Sequence, residues 1–289
     1  MSFAHATPAQ QESPGFSRGE DVNVIVITGA SDGIGAEMAR QWAARDGAAA
    51  SLVLAARHVD KLELVASDCR ARGAAVMVQR CDVGVQADCV ELVAAAMRRF
   101  GRIDTLVNNA GVSAQALFAE VDDLAWYERL MRINHWGSVW CTHAALPALK
   151  ATRGRIVAVS SLAGLVGVPG RTAYCGSKFA MTGFFEALRV ELVVAGVSVT
   201  IAYPGVVATQ IRQHGLNARG ETAGRSGLDE AGAMSVEECA RLIVDGAEAR
   251  RRDVVMTLKG RLGRWIKLVA PGLVDRLALK ALKPDVRPR

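Results

Sequence analysis

Short apolar runs alternate with longer amphipathic segments along most of this chain, from about residue 22 to about residue 202. The runs are apolar at nearly every position rather than at every second one. Strands of this kind are buried on both faces, as the strands of parallel sheets are. We therefore predict six strands: Val22–Thr28, Leu52–Ala56, Ala75–Gln79, Thr105–Val107, Arg155–Val159 and Val197–Ala202.

The segments between these strands have helical patterns. Strands and helices that alternate at this spacing form right-handed crossovers, which place helices on both faces of a doubly wound parallel sheet. The predicted fold class is therefore α/β, with a single such sheet and a helical extension at the C-terminus. The predicted helices are Gly33–Arg45, His58–Arg72, Gln86–Phe100, a long helical region over Leu124–Leu149, and a helix around Tyr174–Val194.

The composition is that of a globular protein, because 51% of the 289 residues are apolar and 22% are charged. The formal net charge of +6 is unevenly distributed. Residues 250–289 contain twelve Lys or Arg and three Asp or Glu, which gives +9, whereas residues 1–249 contain 23 and 26, which gives −3. A nucleic-acid-binding face needs basic residues interleaved with aromatic ones, and the body of the chain lacks one. We predict no nucleic-acid partner.

The basic C-terminal segment has apolar residues at helical spacing. Leu262, Trp265 and Val269 alternate with Arg and Lys, and Pro271 begins a second segment of the same kind. A basic amphipathic pair of helices suits an anionic membrane surface, which would make the protein a peripheral membrane protein. The alternative interpretation is an extension that packs its apolar stripe over the domain or over a partner subunit.

The six cysteines stand singly, without a C-x-x-C pair or a Cys/His cluster. This distribution argues against a zinc site or a disulfide framework and fits a reducing compartment. Residues 1–20 are polar and lack the apolar core of a secretion signal, and no apolar stretch approaches the roughly 20 residues of a spanning helix. We predict a cytoplasmic protein that binds no metal.

The first predicted strand runs into a glycine-rich turn that opens a helix. The turn reads T-G-A-S-D-G-I-G over residues 28–35. Glycines let the backbone approach a pyrophosphate, and the free N–H groups and positive dipole end of the following helix attract it. The turn therefore predicts a dinucleotide site. Asp32 adds a negative charge beside the phosphates, and we expect it to cap the helix that begins near Gly33.

The second strand ends in Ala56 and Arg57, at the place where a dinucleotide fold meets the adenosine ribose. A carboxylate there would accept a hydrogen bond from a 2′-hydroxyl and repel a 2′-phosphate. The guanidinium of Arg57 instead forms charge-assisted hydrogen bonds to a phosphate. The sequence thus predicts NADP(H) as the preferred cofactor, with NAD as the alternative.

Tyr174 and Lys178 are four residues apart in a helical pattern, so their side chains share one face. An ammonium beside a phenol favours the phenolate by Coulomb attraction. A phenol tuned in this way can donate or accept the proton in carbonyl and alcohol chemistry. An isolated Y-x-x-x-K pair is usually a surface pair, but this one follows a nucleotide site in the same chain.

With these motifs in order, the chain resembles the short-chain dehydrogenases/reductases. The resemblance runs from about Val22 to Thr209 and implies a Rossmann-like sheet. Within the family the chain is similar to NADP-dependent hydroxysteroid dehydrogenases and carbonyl reductases. The motifs that carry the resemblance are T-G-x-x-x-G-x-G, N-N-A-G over residues 108–111, Asn134, Ser161 and Y-x-x-x-K over residues 174–178.

The expected organisation has three parts. Residues 1–20 are expected to be a disordered leader, and residues 21–258 the catalytic domain. Within that domain, residues 205–232 are too long and polar for a simple connector, and we expect them to form a substrate lid. Residues 259–289 form the basic amphipathic extension.

The resemblance implies four catalytic residues. Tyr174 would be the general acid/base, and Lys178 would stabilise its phenolate and bind the nicotinamide ribose. Ser161, thirteen residues before the tyrosine, would hydrogen-bond the substrate oxygen, while Ser160 would satisfy local backbone. Asn134 would hold a water that links Lys178 to solvent.

The resemblance also implies a cofactor-binding set. Asp82 would bond the adenine amine, Asn108 would lie beside the adenosine ribose, and Val207 would lie near the carboxamide. Many NADP-using relatives have Lys or Arg where this chain has Asp32, so Arg57 would neutralise the 2′-phosphate largely alone. The set is Gly29, Ser31, Asp32, Gly33, Ile34, Gly35, Arg57, Asp82, Val83, Asn108, Ala110, Gly111, Tyr174, Lys178, Pro204, Gly205, Val207 and Thr209.

The expected function is hydride transfer between NADP(H) and a carbonyl or secondary alcohol. Apolar residues after the serine, including Leu165, Val166 and Val168, favour an apolar ketone or a steroid-like or lipid-like substrate. We expect a homo-oligomer, either a dimer or a tetramer. The rival hypothesis is a nucleotide-sensing interaction protein that uses the fold as a binding module, and the intact set of four catalytic residues argues against it.

Overall fold

A sheet of parallel strands forms the centre of the molecule. The computed structural model describes residues 22–226, 228, 230, 232–280 and 282. In this part of the chain the strands are β1 Asn23–Thr28, β2 Ala50–Ala56, β3 Ala75–Arg80, β4 Thr105–Asn108, β5 Arg155–Val159, β6 Ser198–Tyr203 and β7 Asp253–Val255. They pair in the order β3-β2-β1-β4-β5-β6-β7, and every pair is parallel.

The central strands are buried along nearly their whole length, as their uninterrupted apolar runs predict. β3, at one edge of the sheet, is mostly half-buried. The register places Ile27 of β1 between Leu54 of β2 and Val107 of β4. Apolar side chains therefore form continuous rows across the middle of the sheet.

Helices cover both faces of this sheet. They are α1 Gly33–Asp46, α2 Val59–Arg70, α3 Gln86–Phe100, α4 Ala125–Met131, α5 Gly137–Thr152, α6 Thr172–Glu191, α7 Val236–Glu248, α8 Leu258–Val269 and α9 Pro271–Lys280. On one face α1, α2 and α7 pack around Trp42 and Ile243, and on the other α3, α5 and α6 pack around Leu92 and Phe185. The predicted doubly wound α/β fold is confirmed.

The predicted helical region over Leu124–Leu149 is present but interrupted. α4 ends at Met131, a π-helical turn over Arg132–Trp136 follows, and α5 continues from there. The turn contains Asn134, whose side chain is fully buried. Turns of this type are rare and are frequent at functional sites.

The structure contains two elements that the sequence pattern does not predict, α7 and β7. β7 is only three residues long and follows three consecutive arginines, so it has no apolar run of its own. α7 does have a start signal, because the Ser235 hydroxyl accepts a hydrogen bond from the Glu238 amide at 3.1 Å. This is half of an S-x-x-E capping box, which the sequence displays.

α8 and α9, here called the C-terminal helices, fold back over the carboxyl ends of the strands. Thr257 caps α8 by accepting a hydrogen bond from the Gly260 amide at 3.0 Å. Arg264 forms an ion pair with Asp253 of β7 at 3.0 Å, and Lys267 Nζ donates to the Leu165 carbonyl at 2.9 Å. The predicted helical extension is thus present, and its basic side chains attach it to the domain.

No helix in the described ranges combines the length and the apolar character needed to cross a membrane. The predicted leader over residues 1–20 lies outside the described residues, as do residues 281 and 283–289 of the predicted extension and residues 227, 229 and 231 of the predicted lid.

Candidate active site

The predicted site residues gather at the carboxyl ends of the strands, around a cavity of about 1250 Å³. Loops that follow β1 to β6 and the C-terminal helices line it. Ligands of open parallel sheets bind at such ends, where the strand order reverses, here between β1 and β4. Gly35, Asn108 and Asn134 do not line the cavity. The other predicted residues do: Gly29, Ser31, Asp32, Gly33, Ile34, Arg57, Asp82, Val83, Ala110, Gly111, Ser161, Tyr174, Lys178, Pro204, Gly205, Val207 and Thr209.

The glycine-rich turn is held against the loop that follows β4. The side-chain amide of Asn109 donates to the carbonyls of Thr28 and Gly29, at 3.0 and 3.1 Å. Gly29 has φ +65, and a Cβ there would lie 2.8 Å from the Cα of Ala110. A Cβ at Gly35 would lie 2.3 Å from the Gly29 carbonyl oxygen. Gly35 therefore serves the packing of the turn, and Asn109 is a site residue that the sequence analysis missed.

Asp32 caps α1, as expected. Its backbone is extended, and its carboxylate accepts a hydrogen bond from the Gly33 amide at 2.6 Å. The amides of the next residues in a first helical turn have no intrahelical acceptor. Ser31 and Ile34 line the cavity beside them. The donors of this turn therefore fit a pyrophosphate, even with one acidic side chain present.

The end of the cavity beside β2, where the adenosine is predicted to bind, contains two exposed cations. Arg57 follows β2, and Lys61 lies one helical turn later, in α2. Neither side chain forms a hydrogen bond or an ion pair with another residue that the structure describes. Lys61 was missed in the sequence analysis.

The loops after β3 and β4 supply the next part of the cavity wall. Asp82 lines the cavity, and its carboxylate accepts a hydrogen bond from the Gly84 amide at 2.9 Å. Asn108 differs from the prediction that placed it beside the ribose. It is the buried last residue of β4, and its side-chain amide donates to the Thr142 hydroxyl at 2.9 Å. The next residue, Asn109, is the one that reaches the cavity.

Tyr174 and Lys178 lie one turn apart on α6, and both line the cavity. Lys178 Nζ donates to the Val159 carbonyl at the end of β5, at 2.9 Å. The same nitrogen lies 5.9 Å from the centre of the Tyr174 ring. Burial lowers the pKa of Lys178 to about 8, because the protein interior disfavours its charged form.

Asn134 reaches the site indirectly. Its side chain is held on three sides: Oδ1 accepts from the Val112 amide at 2.7 Å, and Nδ2 donates to the Val112 carbonyl at 2.9 Å and to Ser177 Oγ at 3.0 Å. A Cβ at Gly111 would lie 3.2 Å from Asn134 Oδ1 and 3.6 Å from Lys178 Nζ. Gly111 thus separates the Asn134 amide from the Lys178 ammonium.

The two serines after β5 differ in their surroundings, as predicted. Ser160 is buried, and its hydroxyl contacts the Lys178 carbonyl at 3.3 Å and the Thr182 hydroxyl at 3.2 Å. The Ser161 hydroxyl accepts a hydrogen bond from the Ala163 amide at 3.2 Å and is half-buried. Its own O–H remains available for a ligand in the cavity.

The remaining walls are formed by residues of the 162–171 and 205–226 segments and of the C-terminal helices, and they are here called the substrate end because a substrate is predicted to bind there. Residues 205–226 cross it, and the Trp126 indole holds this loop by donating to the Ala218 carbonyl at 3.2 Å. A buried guanidinium, Arg171, also lines this end of the cavity and was missed in the sequence analysis. Most of the other lining residues here are apolar: Leu165, Val166, Val168, Ile211, Leu228, Leu262, Ile266, Val274, Leu277 and Ala278.

Within the described ranges, no group of three or more His, Cys, Asp or Glu side chains could hold a metal ion. All six cysteines are buried thiols without a disulfide.

Comparison with known proteins identifies a family and several relatives that are similar to this chain. The family model described as short chain dehydrogenase matches residues 23–219. A protein named 11-beta-hydroxysteroid dehydrogenase-like 4A, from Arabidopsis thaliana, is 38% identical over 263 residues, which are 90% of this chain and 85% of that protein. An 11-beta-hydroxysteroid dehydrogenase A from Sesamum indicum is 38% identical over 264 residues, 89% of this chain and 75% of that protein.

Two solved structures are similar in fold and each is 26% identical in sequence. One is a short-chain dehydrogenase/reductase from Burkholderia phymatum in complex with NAD, with a TM-score of 0.76 over 88% of this chain and 95% of that chain. The other is an alcohol dehydrogenase from Thermococcus sibiricus complexed with 5-hydroxy-NADP, with a TM-score of 0.70 over 81% of this chain and 96% of that chain.

The burial of Lys178 predicts a specific pH dependence of stability. The pKa of Lys178 falls from 10.5 to about 8 on folding. Above about pH 8 the unfolded chain therefore keeps a proton that the folded protein has released. The free energy of unfolding of the parent should rise relative to that of Lys178→Met as the pH increases from about 8 towards 10.5, by on the order of 3 kcal/mol.

Urea unfolding of both proteins over this pH range measures the difference. Lys150→Met, at an exposed position of α5, is the matched control. A difference between parent and Lys178→Met that stays constant across the range would contradict the prediction.

Proposed function

The chain belongs to the short-chain dehydrogenase family and is an NAD(P)-dependent oxidoreductase, and from this premise we propose that it transfers a hydride between NADP(H) and an apolar carbonyl or secondary alcohol. One observation carries the proposal. Tyr174, Lys178 and Ser161 line the same cavity as the glycine-rich turn, so a proton donor and a dinucleotide would meet there.

In the proposed reaction, Tyr174 gives its phenolic proton to the carbonyl oxygen during reduction and takes it back during oxidation. The Ser161 hydroxyl donates to the same oxygen and stabilises the alkoxide that develops there, by about 3 kcal/mol. Lys178 stabilises the phenolate and binds the nicotinamide ribose. A bound nicotinamide supplies or accepts the hydride.

Asn134 serves this reaction as a positioning residue in the proposal. Two of its hydrogen bonds fix the backbone of Val112 next to Gly111, and the third holds the Ser177 hydroxyl on α6, between Tyr174 and Lys178. The π-helical turn is what brings an amide to this buried place. We propose that a water held there would pass protons between Lys178 and solvent.

An apolar substrate is supported by the cavity wall and by the relatives. The substrate end is lined mostly by aliphatic side chains, which favour an apolar body. The similar plant proteins are named as 11-beta-hydroxysteroid dehydrogenases, a name that refers to a large apolar alcohol. We therefore propose a ketone or alcohol with a steroid-like or lipid-like skeleton.

The preference for NADP(H) rests on the two cations at the adenosine end. Arg57 and Lys61 are unpaired within the described residues, and the residue directly after β2 is Arg57 rather than a carboxylate, so a 2′-phosphate would meet charge-assisted donors there. Asp32 is engaged with the Gly33 amide. We propose that Asp32 stabilises α1 and that Arg57, together with Lys61, binds the phosphate.

The exposed side of the C-terminal helices suits a membrane surface. Leu258, Trp265, Leu268 and Val269 of α8 are more than half exposed, at 70%, 61%, 72% and 84%. Together with the net charge of +9 over residues 250–289, this surface favours an anionic membrane as its partner. Leu262 and Leu277 are exposed and also line the cavity, so an apolar substrate could enter from the membrane.

We further propose a cytoplasmic homo-oligomer, a dimer or a tetramer. Six buried free thiols suit a reducing compartment. Exposed apolar side chains at the end of α6 and on the π-helical turn, among them Val190 and Trp136, offer contact surfaces apart from the C-terminal helices.

Tyr174→Phe should reduce NADPH-dependent turnover at least a thousandfold, because the ring remains and the proton is lost. NADPH binding, followed by fluorescence titration, should stay within about threefold of the parent. The assay is NADPH oxidation over a panel of ketones, which also identifies the substrate. Retained activity in Tyr174→Phe would refute its role as acid/base. A parent protein that binds NADPH and turns over no ketone or alcohol would support the binding-module hypothesis.

Arg57→Ala should weaken NADPH binding about 10- to 100-fold and leave NADH binding nearly unchanged, because only NADPH carries the 2′-phosphate. Lys61→Ala should have a smaller effect in the same direction. Arg80→Ala, at the exposed end of the neighbouring strand β3, is the matched control. An unchanged ratio of the two dissociation constants in Arg57→Ala would show that Arg57 does not select the cofactor.

The paired change Leu268→Glu and Val269→Glu should abolish co-sedimentation with phosphatidylglycerol vesicles, and the parent should not sediment with phosphatidylcholine alone. Val193→Glu with Val194→Glu adds the same charge at an equally exposed place, 69% and 99%, and should leave sedimentation intact. The membrane proposal would be contradicted if the parent sedimented with neither kind of vesicle. It would also be contradicted if the Leu268→Glu and Val269→Glu pair dissociated the oligomer.

A further inference from the structure

Arg171 occupies an unusual place for a charged residue. It directly precedes α6, its side chain is 8% exposed, and it lines the substrate end of the cavity. Its Nε donates to the Ala114 carbonyl at 3.3 Å, and one Nη donates to the Ser113 hydroxyl. These partners fix the guanidinium, but both are neutral.

No carboxylate pairs with Arg171 among the described residues. The other buried guanidinium of this wall, Arg212, does have one, because its Nε lies 2.6 Å from Glu230 Oε1. Arg212 Nη2 also donates to the Val207 carbonyl at 2.7 Å. The second Nη of Arg171 has no hydrogen-bond partner in the described part of the chain. A buried cation of this kind is costly unless an anion or further acceptors reach it.

The unpaired guanidinium lies beside the proposed reaction centre. Its carbon atom is 4.5 Å from the centre of the Tyr174 ring, closer than Lys178 Nζ at 5.9 Å. Both side chains line one cavity, so a single ligand can bond Arg171 and present a carbonyl to Tyr174 a few bonds away. A purely apolar ligand would instead displace water from the free Nη and offer it no hydrogen-bond acceptor.

We propose that Arg171 recognises a carboxylate of the substrate, placed within a few bonds of the reacting carbonyl. The inference rests on the proposed function and narrows its substrate to apolar oxo acids, or the corresponding hydroxy acids. The aliphatic walls hold the hydrocarbon body, Tyr174 and Ser161 hold the reacting oxygen, and Arg171 holds the acid group. A guanidinium suits this task because its fork of donors matches the two oxygens of a carboxylate.

Other groups around Arg171 do not replace such an anion. Tyr174 and Cys175 on α6 and Arg212 on the 205–226 loop are its titratable or charged neighbours, and none is a carboxylate. Burial lowers the pKa of Arg171, Tyr174 and Cys175 raise it, and Arg212 lowers it by charge repulsion. A carboxylate on the ligand would offset the burial and the repulsion.

Arg171 has two competing roles that the test must separate. Its bonds to Ser113 and Ala114 tie the segment after β4 to α6, which is a purely structural role. Its position over the Tyr174 ring could stabilise the phenolate for every substrate. Either role would affect all carbonyl substrates equally, whereas recognition of a carboxylate affects only those that carry one.

The experiment compares matched substrates in the full-length protein with NADPH. One oxo acid has its ketone adjacent to the carboxylate, a second has it two carbons further along the alkyl chain, and in the two matched ketones a methyl group replaces the carboxylate. The parent should prefer an oxo acid to its matched ketone. Arg171→Met should lower kcat/KM for that acid about 10- to 100-fold and change it less than threefold for the ketone.

Arg171→Lys should recover part of the preference, because it keeps the charge without the fork. Ser113→Ala removes one anchor of the guanidinium and should lower stability without reversing the preference. An equal loss on acid and ketone in Arg171→Met, or a parent that prefers the ketone, would overturn the inference while leaving the proposed function intact.

Calorimetric titration of the oxo acids into the protein with NADP⁺ gives a second readout that needs no turnover. Binding that Arg171→Met weakens at least tenfold supports the inference even if no substrate is reduced, in which case only the proposed function fails. Absence of binding together with absence of turnover would overturn the inference.

Discussion

The bond from the Lys178 ammonium to the Val159 carbonyl fixes the geometry of this site. It joins α6 to the end of β5, so the helix that carries Tyr174 cannot shift along the sheet. The ammonium is buried, and a buried charge needs every neighbour to be placed correctly. Gly111 lies beside it, and a Cβ at that position would crowd Asn134 Oδ1, at 3.2 Å, and come into contact with Lys178 Nζ, at 3.6 Å. Lys178 and Asn134, two of the residues proposed to be catalytic, are therefore held in one packed unit with the Val159 carbonyl and the Val112 backbone.

The cofactor end depends on a second close approach, between the turn after β1 and the loop after β4. Asn109 bonds two carbonyls of the turn, and Gly29 and Gly35 allow the contact because neither has a Cβ. These two loops belong to the strands between which the sheet order reverses. The sequence distance between them is large, yet each determines the shape of the other. The predicted phosphate site therefore depends on both motifs.

Local signals explain what could be predicted from the sequence. The strands are apolar runs, and Tyr174 and Lys178 meet because residues four apart share a helix face, so periodicity alone was sufficient for both. Asp32 was predicted as a cap from its position before a helix, and the structure agrees. β7 could not be predicted, because a three-residue strand at the sheet edge owes its conformation to β6 and not to its own residues.

Residues that act through tertiary contacts were missed for a related reason. Nothing in the sequence distinguishes Arg171 from a solvated arginine, since its burial depends on Ser113, Ala114 and Tyr174. Asn108 and Asn109 are adjacent and identical in type, and only the end of β4 decides which one faces the cavity. The π-helical turn at Asn134 likewise has no local signature. At these positions the surroundings of a side chain are set by tertiary contacts, which local sequence preferences do not reveal.

Several basic side chains near the C-terminus attach α8 to the domain. Arg261, Arg264 and Lys267 of α8 are used within the fold: Arg261 donates to the Val255 carbonyl, Arg264 pairs with Asp253, and Lys267 donates to the Leu165 carbonyl. Charged side chains attach α8 to the domain, and its apolar residues divide between two sides. Leu262 and Ile266 line the cavity, whereas Trp265, Leu268 and Val269 are exposed. Attachment by charges rather than by an apolar stripe is what leaves part of the apolar surface of this helix uncovered.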